Sequence, residues 1–360
     1  MGIGKDGYYT SKDILAYEAT YNIVYGERGP GKSFDIKRIA LTEAYKTGEM
    51  RLGLIRRFRD DITTELVTKY FIERDVNLIE MITKKEFTFI DWYRGYLWFA
   101  RMENDKIVRG SKCGEVFALS IADKRYKSTG HPGIKYIVLE EALTSDYYLP
   151  NEPKKLMQLV STIARKDSSV RVFLIGNAVS RVCPYFKKWA LRGIRTQKPG
   201  TIDLYTHKNP EGEDVKIAVE YVPESPLKAK IFFGSVAKSI TGGAWETDEH
   251  PTLPDKFKNF EIIYQLTYKS NSDFDFSVCL LSHMLEGYIL VYVYPSKTVF
   301  DRVISAEYSS NPLQTPTLRR DIPAEALIHN SMIDNKIVFS DNLTAEDFYA
   351  SIKTEAKYPF

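Results

Sequence analysis

The segment Gly26-Glu27-Arg28-Gly29-Pro30-Gly31-Lys32-Ser33 constrains this chain more than any other. It satisfies G-x-x-x-x-G-K-[ST] at every defined position, and it lies between an apolar run at 21–25 and a helical pattern that follows at once. In that pattern Ile36, Ile39, Ala40, Ala44 and Tyr45 recur at helical spacing, and Gly48 marks the stop. A strand, a glycine-rich turn and a helix N-terminus in this order aim backbone N–H groups at one point, as a chain of phosphates requires. Lys32 is placed to reach β- and γ-phosphates, and the Ser33 hydroxyl to ligate Mg²⁺. Gly26, Glu27, Arg28, Gly29, Pro30, Gly31, Lys32, Ser33 and Phe34 are therefore the expected nucleotide-binding residues, with ATP and Mg²⁺ as the expected cofactors.

A second element fits the first. Ile137-Val138-Leu139 is an apolar strand that delivers Glu140 and Glu141 at its C-terminal end, where parallel sheets bind ligands. Glu140 is the expected Mg²⁺ partner through water, and Glu141 the residue that orients and polarises an attacking water. Two adjacent acids also suit a solvated helix cap; the partnership with Lys32 favours the site. Asn177 ends the next apolar strand, where an amide can bond the lytic water or a γ-phosphate, or serve only as a turn residue.

Apolar strands at 21–25, 51–55, 135–139 and 170–176 alternate with helical patterns after Lys32, at 60–72 and at 153–164. That alternation predicts an α/β domain with a parallel sheet covered on both faces. Residues 75–121 read as short strands, beginning with 75–82. After about residue 196 the chain becomes rich in Pro, Gly and charge, and from about 256 an antiparallel meander is expected, closed by a polar helix at 342–356. The expected division is an ATPase domain at 1–200, a small linker domain at 201–255 and a C-terminal α+β domain at 256–360.

Composition excludes several classes. The net charge of +3 rules out a polycation that coats nucleic acid, so any such contact must come from local patches or from pooled subunits. Three dispersed cysteines and five dispersed histidines give neither a disulfide framework nor a structural metal site. No apolar run approaches the roughly 20 residues of a membrane span, and the N-terminus has no secretory core, so no membrane partner is expected.

In GERGPGKS, LIRRFR at 54–59, IVLEE at 137–141 and GNAVSRVCPYF at 176–186, taken in order, the sequence resembles the DNA-packaging ATPases of phi29-type tailed phages. The resemblance covers about residues 12–190 and is one of layout beyond. It implies a P-loop NTPase of the additional-strand, catalytic-glutamate (ASCE) class, with a C-terminal domain of RNase H-like type that has lost its nuclease acids. It implies a homo-oligomeric ring, a pentamer, that translocates viral double-stranded DNA. The ring would dock on the portal of a procapsid, with a structural packaging RNA as a further partner, in the host cytoplasm. By the same resemblance Arg165 corresponds to an arginine finger acting on a neighbour's site, and Lys127 to a second basic residue acting in trans. Arg56, Arg57 and Arg59 fall in a lid region that communicates with nucleotide; from the residues alone they suit a DNA-facing channel or surface ion pairs equally. One departure stands out: the family has Asp then Glu where this chain has Glu140 then Glu141. The competing functions are another P-loop ring ATPase, such as a helicase or remodeller, and a nucleotide-switched scaffold. The paired acids argue against the scaffold.

Overall fold

In a computed structural model the chain is described at residues 2–4, 7–27, 29, 31–73, 76–122, 126, 130–144, 147–165, 167–178, 182–194, 196–223, 250–254, 258–270, 275–306 and 309–354. It separates into two compact units. The first gathers residues 1–143, 151–178 and 196–244, and the second 144–150, 179–195 and 245–360.

The first unit is built on a nine-stranded sheet. Its strands are β1 (Tyr21–Gly26), β2 (Leu52–Arg56), β5 (Phe89–Tyr93), β6 (Tyr96–Glu103), β7 (Lys106–Ala118), β8 (Tyr136–Leu139), β9 (Arg171–Ile175), β10 (Thr201–Lys208) and β11 (Asp214–Val222). A small separate ribbon pairs β3 (Ile72–Glu73) with β4 (Val76–Asn77). The order across the large sheet is β10-β11-β1-β9-β8-β2-β7-β6-β5. The six strands from β11 to β7 are all parallel, and an antiparallel hairpin finishes each edge. The central strands are buried end to end and rich in Val, Ile and Leu, as strands covered on both faces must be. Register fixes the functional edge: Val24 lies opposite Ile175, Leu174 opposite Leu139, and Leu139 opposite Ile55. The C-terminal ends of β1, β9, β8 and β2 therefore share one rim.

Helix α2 (Lys32–Thr47) follows β1 and buries Ile36, Ala40, Leu41 and Ala44 in the core shared with Val24, Leu54 and Phe173. Gly48, at φ +69, closes it by donating to the Ala44 carbonyl at 2.9 Å. Ahead of β1 stands a short turn of helix, α1 (Lys12–Leu15). The helix expected over 60–72 is only α3 (Thr64–Lys69), because the Thr63 hydroxyl caps the Leu66 amide and sets its start. The strand expected at 75–82 is mostly helix α4 (Leu78–Thr83), whose start Asn77 fixes by accepting from the amides of Ile79 and Glu80. Helix α5 (Glu152–Ala164) joins β8 to β9.

The linker domain expected at 201–255 is corrected by the structure as far as residue 223. Residues 201–222 are a hairpin of the large sheet, and β11 pairs with β1 over six residues from Tyr21↔Ile217 to Gly26↔Val222. The Pro- and Gly-rich stretches that resemble a boundary are turns flanking two strands. Most of the remaining stretch, 224–249, lies outside the described residues. The boundary at 200 is likewise displaced, since 144–150 and 179–195 group with the second unit. That grouping includes α6 (Pro184–Lys188), whose Tyr185 stacks edge-on with Trp189.

The second unit has a six-stranded mixed sheet in the order β16-β15-β12-β13-β14-β17. The members are β12 (Phe260–Tyr268), β13 (Asp275–His283), β14 (Ile289–Ser296), β15 (Val303–Ile304), β16 (Gln314–Thr315) and β17 (Ile337–Phe339). The expected meander is β12–β14, and parallel strands extend it on both sides. Helices α7 (Pro323–Ile333) and α8 (Asn342–Thr354) supply Ile328, Met332, Ala345, Phe348 and Ile352 to its core. Among the described residues no helix is long and apolar enough to cross a membrane.

Candidate functional site

The loop after β1 needs its glycines for measurable reasons. Gly26 has φ +147, and a Cβ there would stand 2.7 Å from the Val222 carbonyl oxygen on the neighbouring strand. Gly31 has φ +88 and forms the N-cap of α2, so the helix begins at Lys32 directly out of a left-handed turn. Arg28 and Pro30 lie outside the described residues, as does Lys127.

Lys32 is a buried lysine, 6% exposed. Its Nζ donates to the Glu27 carbonyl and lies 3.5 Å from Asn177 Oδ1. One residue on, the Ser33 hydroxyl donates to Glu140 Oε2 at 3.0 Å. The other Glu140 oxygen accepts from the Tyr70 hydroxyl, so both ends of the carboxylate are fixed. The extra methylene of Glu140 relative to aspartate therefore does not keep it from reaching the Ser33 hydroxyl. Tyr70 is placed in turn by Lys37, whose Nζ lies 3.7 Å from the ring centroid and donates to the Tyr70 carbonyl at 2.6 Å.

Glu141 differs from its neighbour. Its side chain is 69% exposed, with Arg56 Nη2 at 3.6 Å from Oε2. Its backbone is left-handed at φ +53, a conformation that costs a non-glycine residue about 1–2 kcal/mol and persists only where the surroundings impose it. These groups surround a cleft of about 180 Å³ lined by Gly29, Gly31, Lys32, Ser33, Glu140, Glu141, Ile175, Gly176 and Asn177. The sequence-predicted Lys32, Ser33, Glu140, Glu141 and Asn177 are thus brought together from β1, β8 and β9. Gly26 and Glu27 support the loop from outside the lining, and Phe34 packs against the core. Arg165 is not part of the lining: it caps the C-terminus of α5 at φ +50, exposed, with its guanidinium beside Gly130.

Two residues of the site carry no local signature. Tyr70 ends a short polar helix 70 positions before the acid it holds, and Glu152, which pairs with Arg57 behind the acidic turn, looks like an ordinary acid in a first helical turn. Only the pairing of distant strands makes either visible.

Residues 3–198 match the family described as the podovirus DNA encapsidation protein (Gp16). The chain is 28% identical over 187 residues to the DNA packaging proteins of Bacillus phages phi29 and PZA, covering 51% of this chain and 50% of each relative. The chain spans about half the length of the curated relatives it matches. In fold it is similar to the bacteriophage Phi-29 viral genome packaging motor assembly, with a TM-score of 0.58 at 18% identity, over 95% of this chain and 97% of that one. The Phi-28 gp11 DNA packaging motor gives a TM-score of 0.50 at 17% identity, over 97% and 99% of the two chains.

Proposed function

We propose that this chain, which belongs to the podovirus DNA encapsidation protein (Gp16) family, is a P-loop ATPase of the additional-strand, catalytic-glutamate class that drives double-stranded DNA into a viral procapsid. The observation that carries the reading is the convergence of Lys32 with Asn177 and of Ser33 with Glu140 at one sheet rim, inside the matched segment.

The donor set suits Mg²⁺ with ATP. A serine hydroxyl and a carboxylate already in contact offer hard oxygens, and the buried Lys32 adds the positive charge that phosphates need. When bound, Mg²⁺ neutralises charge on the phosphate oxygens. Ser33 and Glu140 would hold it. Lys32 would engage the β- and γ-phosphates, and the loop backbone at Gly29 and Gly31 would face them. Glu141 stands at the open side of the cleft, where it orients a water for in-line attack and accepts its proton. Asn177, within reach of Lys32, senses the γ-phosphate. Arg165, exposed on the far end of α5, serves a neighbouring subunit's site, with Lys127 as a second contribution in trans.

On this reading the chain works as a homo-oligomeric ring, a pentamer, on the portal of a procapsid in the host cytoplasm, with a structural RNA as a further contact. Its second unit is a binding or docking domain of RNase H-like type without nuclease activity. Asp275 stands at the start of β13, ahead of the apolar run that follows it.

The test is the steady-state ATPase rate as double-stranded DNA is titrated in, with single-stranded DNA alongside. Stimulation by duplex is the expected result. Stimulation by single strands alone would move the assignment to a helicase, and binding of ATP without turnover to a nucleotide-switched scaffold.

A further inference from the structure

Arg57 directly follows β2 and is buried, though charged. Its guanidinium bonds in two directions. Nε donates to Glu152 Oε2 at 2.9 Å and Nη2 to Glu152 Oε1 at 3.1 Å, a bidentate fork on a carboxylate with no exposure at all. Two further bonds go to the acidic turn: Nη1 donates to the Glu141 carbonyl at 3.1 Å, and Nη2 to the Ala142 carbonyl at 3.2 Å. On the opposite side the Ala142 amide donates to the Ile175 carbonyl at 2.8 Å. The left-handed turn at Glu141 is therefore held between β9 and one arginine side chain.

A buried ion pair is a poor way to add stability, because desolvation offsets most of the attraction and an apolar pair of similar volume does as well. What the pair supplies here is direction. A lysine could neutralise Glu152, but only the planar fork reaches two carbonyls at the same time. Glu152 is also the first residue of α5, a rigid element about 20 Å long that ends at Arg165. One guanidinium thus ties the turn bearing Glu141 to the helix that presents Arg165.

We propose that Arg57 and Glu152 are a positioning pair. They hold the Glu141 backbone in its left-handed conformation and lock it to α5, so that the acidic turn and Arg165 move as one body. The inference rests on the roles given to Glu141 and Arg165 above.

The experiment compares the full-length wild type with Arg57→Lys and with the apolar pair Arg57→Met/Glu152→Leu, by hydrogen exchange and by duplex-stimulated ATPase kinetics. The double variant is expected to regain the thermal midpoint of the wild type. Its amides at 140–143 should nonetheless exchange at least tenfold faster. Its kcat should fall at least tenfold while KM stays within twofold, with Arg57→Lys intermediate. Wild-type exchange at 140–143 in the double variant would overturn the positioning role, and so would wild-type kcat. If the wild type itself shows no turnover, the ATPase reading fails, and the exchange data alone still decide whether Arg57 and Glu152 hold the turn.

Discussion

Among the described residues each unit of this protein buries a bidentate arginine–glutamate pair, and the two pairs do different things. In the second unit Arg302 binds Glu325 at 2.6 and 2.7 Å, and its other hydrogens go to the carbonyls of Val303, Leu313 and Thr317. Glu325 also accepts from Tyr264 at 2.9 Å and from the Arg319 amide at 2.7 Å. Every contact stays within framework: strands β12 and β15, the loops that follow β15 and β16, and the start of α7. In the first unit Arg57 and Glu152 use the same chemistry, but the spare hydrogens end on a strained turn at the rim of a cleft. Identical pairs thus act as a staple where the neighbours are regular and as a positioning device where they are not. The difference lies in which carbonyls the arginine meets.

The largest effect should come from emptying the cleft of its buried cation. Lys32→Ala is expected to lower ATP turnover by about 100-fold or more and to weaken nucleotide binding, since a preorganised charge on the phosphates is lost. Equilibrium binding of a fluorescent ATP analogue, with turnover measured alongside, checks both parts. Breaking the staple should instead appear in stability alone. Arg302→Met leaves Glu325 buried and unpaired, at a cost of about 3–5 kcal/mol, and Arg302→Met/Glu325→Leu should recover most of it. Urea titration reads the loss, and an unchanged kcat per folded molecule separates this pair from Arg57 and Glu152.

A third effect depends on pH. Burial pushes the Glu220 carboxyl up to about 7, with the Tyr9 hydroxyl, 2.8 Å away, pulling partly against it. The folded state therefore holds this proton more tightly than the unfolded chain. The stabilisation is fully present below about pH 4.5 and is lost as pH rises through about 7. A shift of this size corresponds to something on the order of 3 kcal/mol. Between pH 5 and pH 8 the wild type should lose thermal stability relative to Glu220→Gln, whose profile over that window should be flatter; parallel profiles would sink the argument. Smallest is the exposed pair of Lys135 and Asp167, which are 31% and 40% exposed. The Lys135 ammonium and the Ser169 hydroxyl draw the Asp167 carboxyl down to about 2. Solvent screening limits the pair to less than about 1 kcal/mol, so Asp167→Asn should barely move the urea midpoint.

Much of the first unit is legible in the sequence because its signals are local. The GERGPGKS turn, the apolar runs of β1, β8 and β9, and the stop at Gly48 all act within a few residues of themselves. The same holds for β12, β13 and α8, each a run long enough to be read without its neighbours. The misreadings have a common cause. Residues 78–83 have an apolar pattern that suits either state, and a single Asn77 side chain settles it as helix. Residues 201–222 look like linker because turns flank them, and β1, whose Tyr21 lies opposite Ile217, offers the edge that makes them sheet.

By itself the sequence singled out the loop glycines, Lys32 and Ser33 as one group, because glycines, a lysine and a hydroxyl at that fixed spacing after an apolar strand restrict the backbone to a tight turn. Tertiary structure decided how those residues are held. Tyr70 reaches Glu140, Glu152 reaches Arg57, and Arg57 reaches the Glu141 carbonyl only because parallel pairing sets the ends of β1, β2, β8 and β9 on one rim. Contacts between residues 70 to 95 positions apart leave no mark on local pattern, since nothing in either segment needs the other until the sheet has formed.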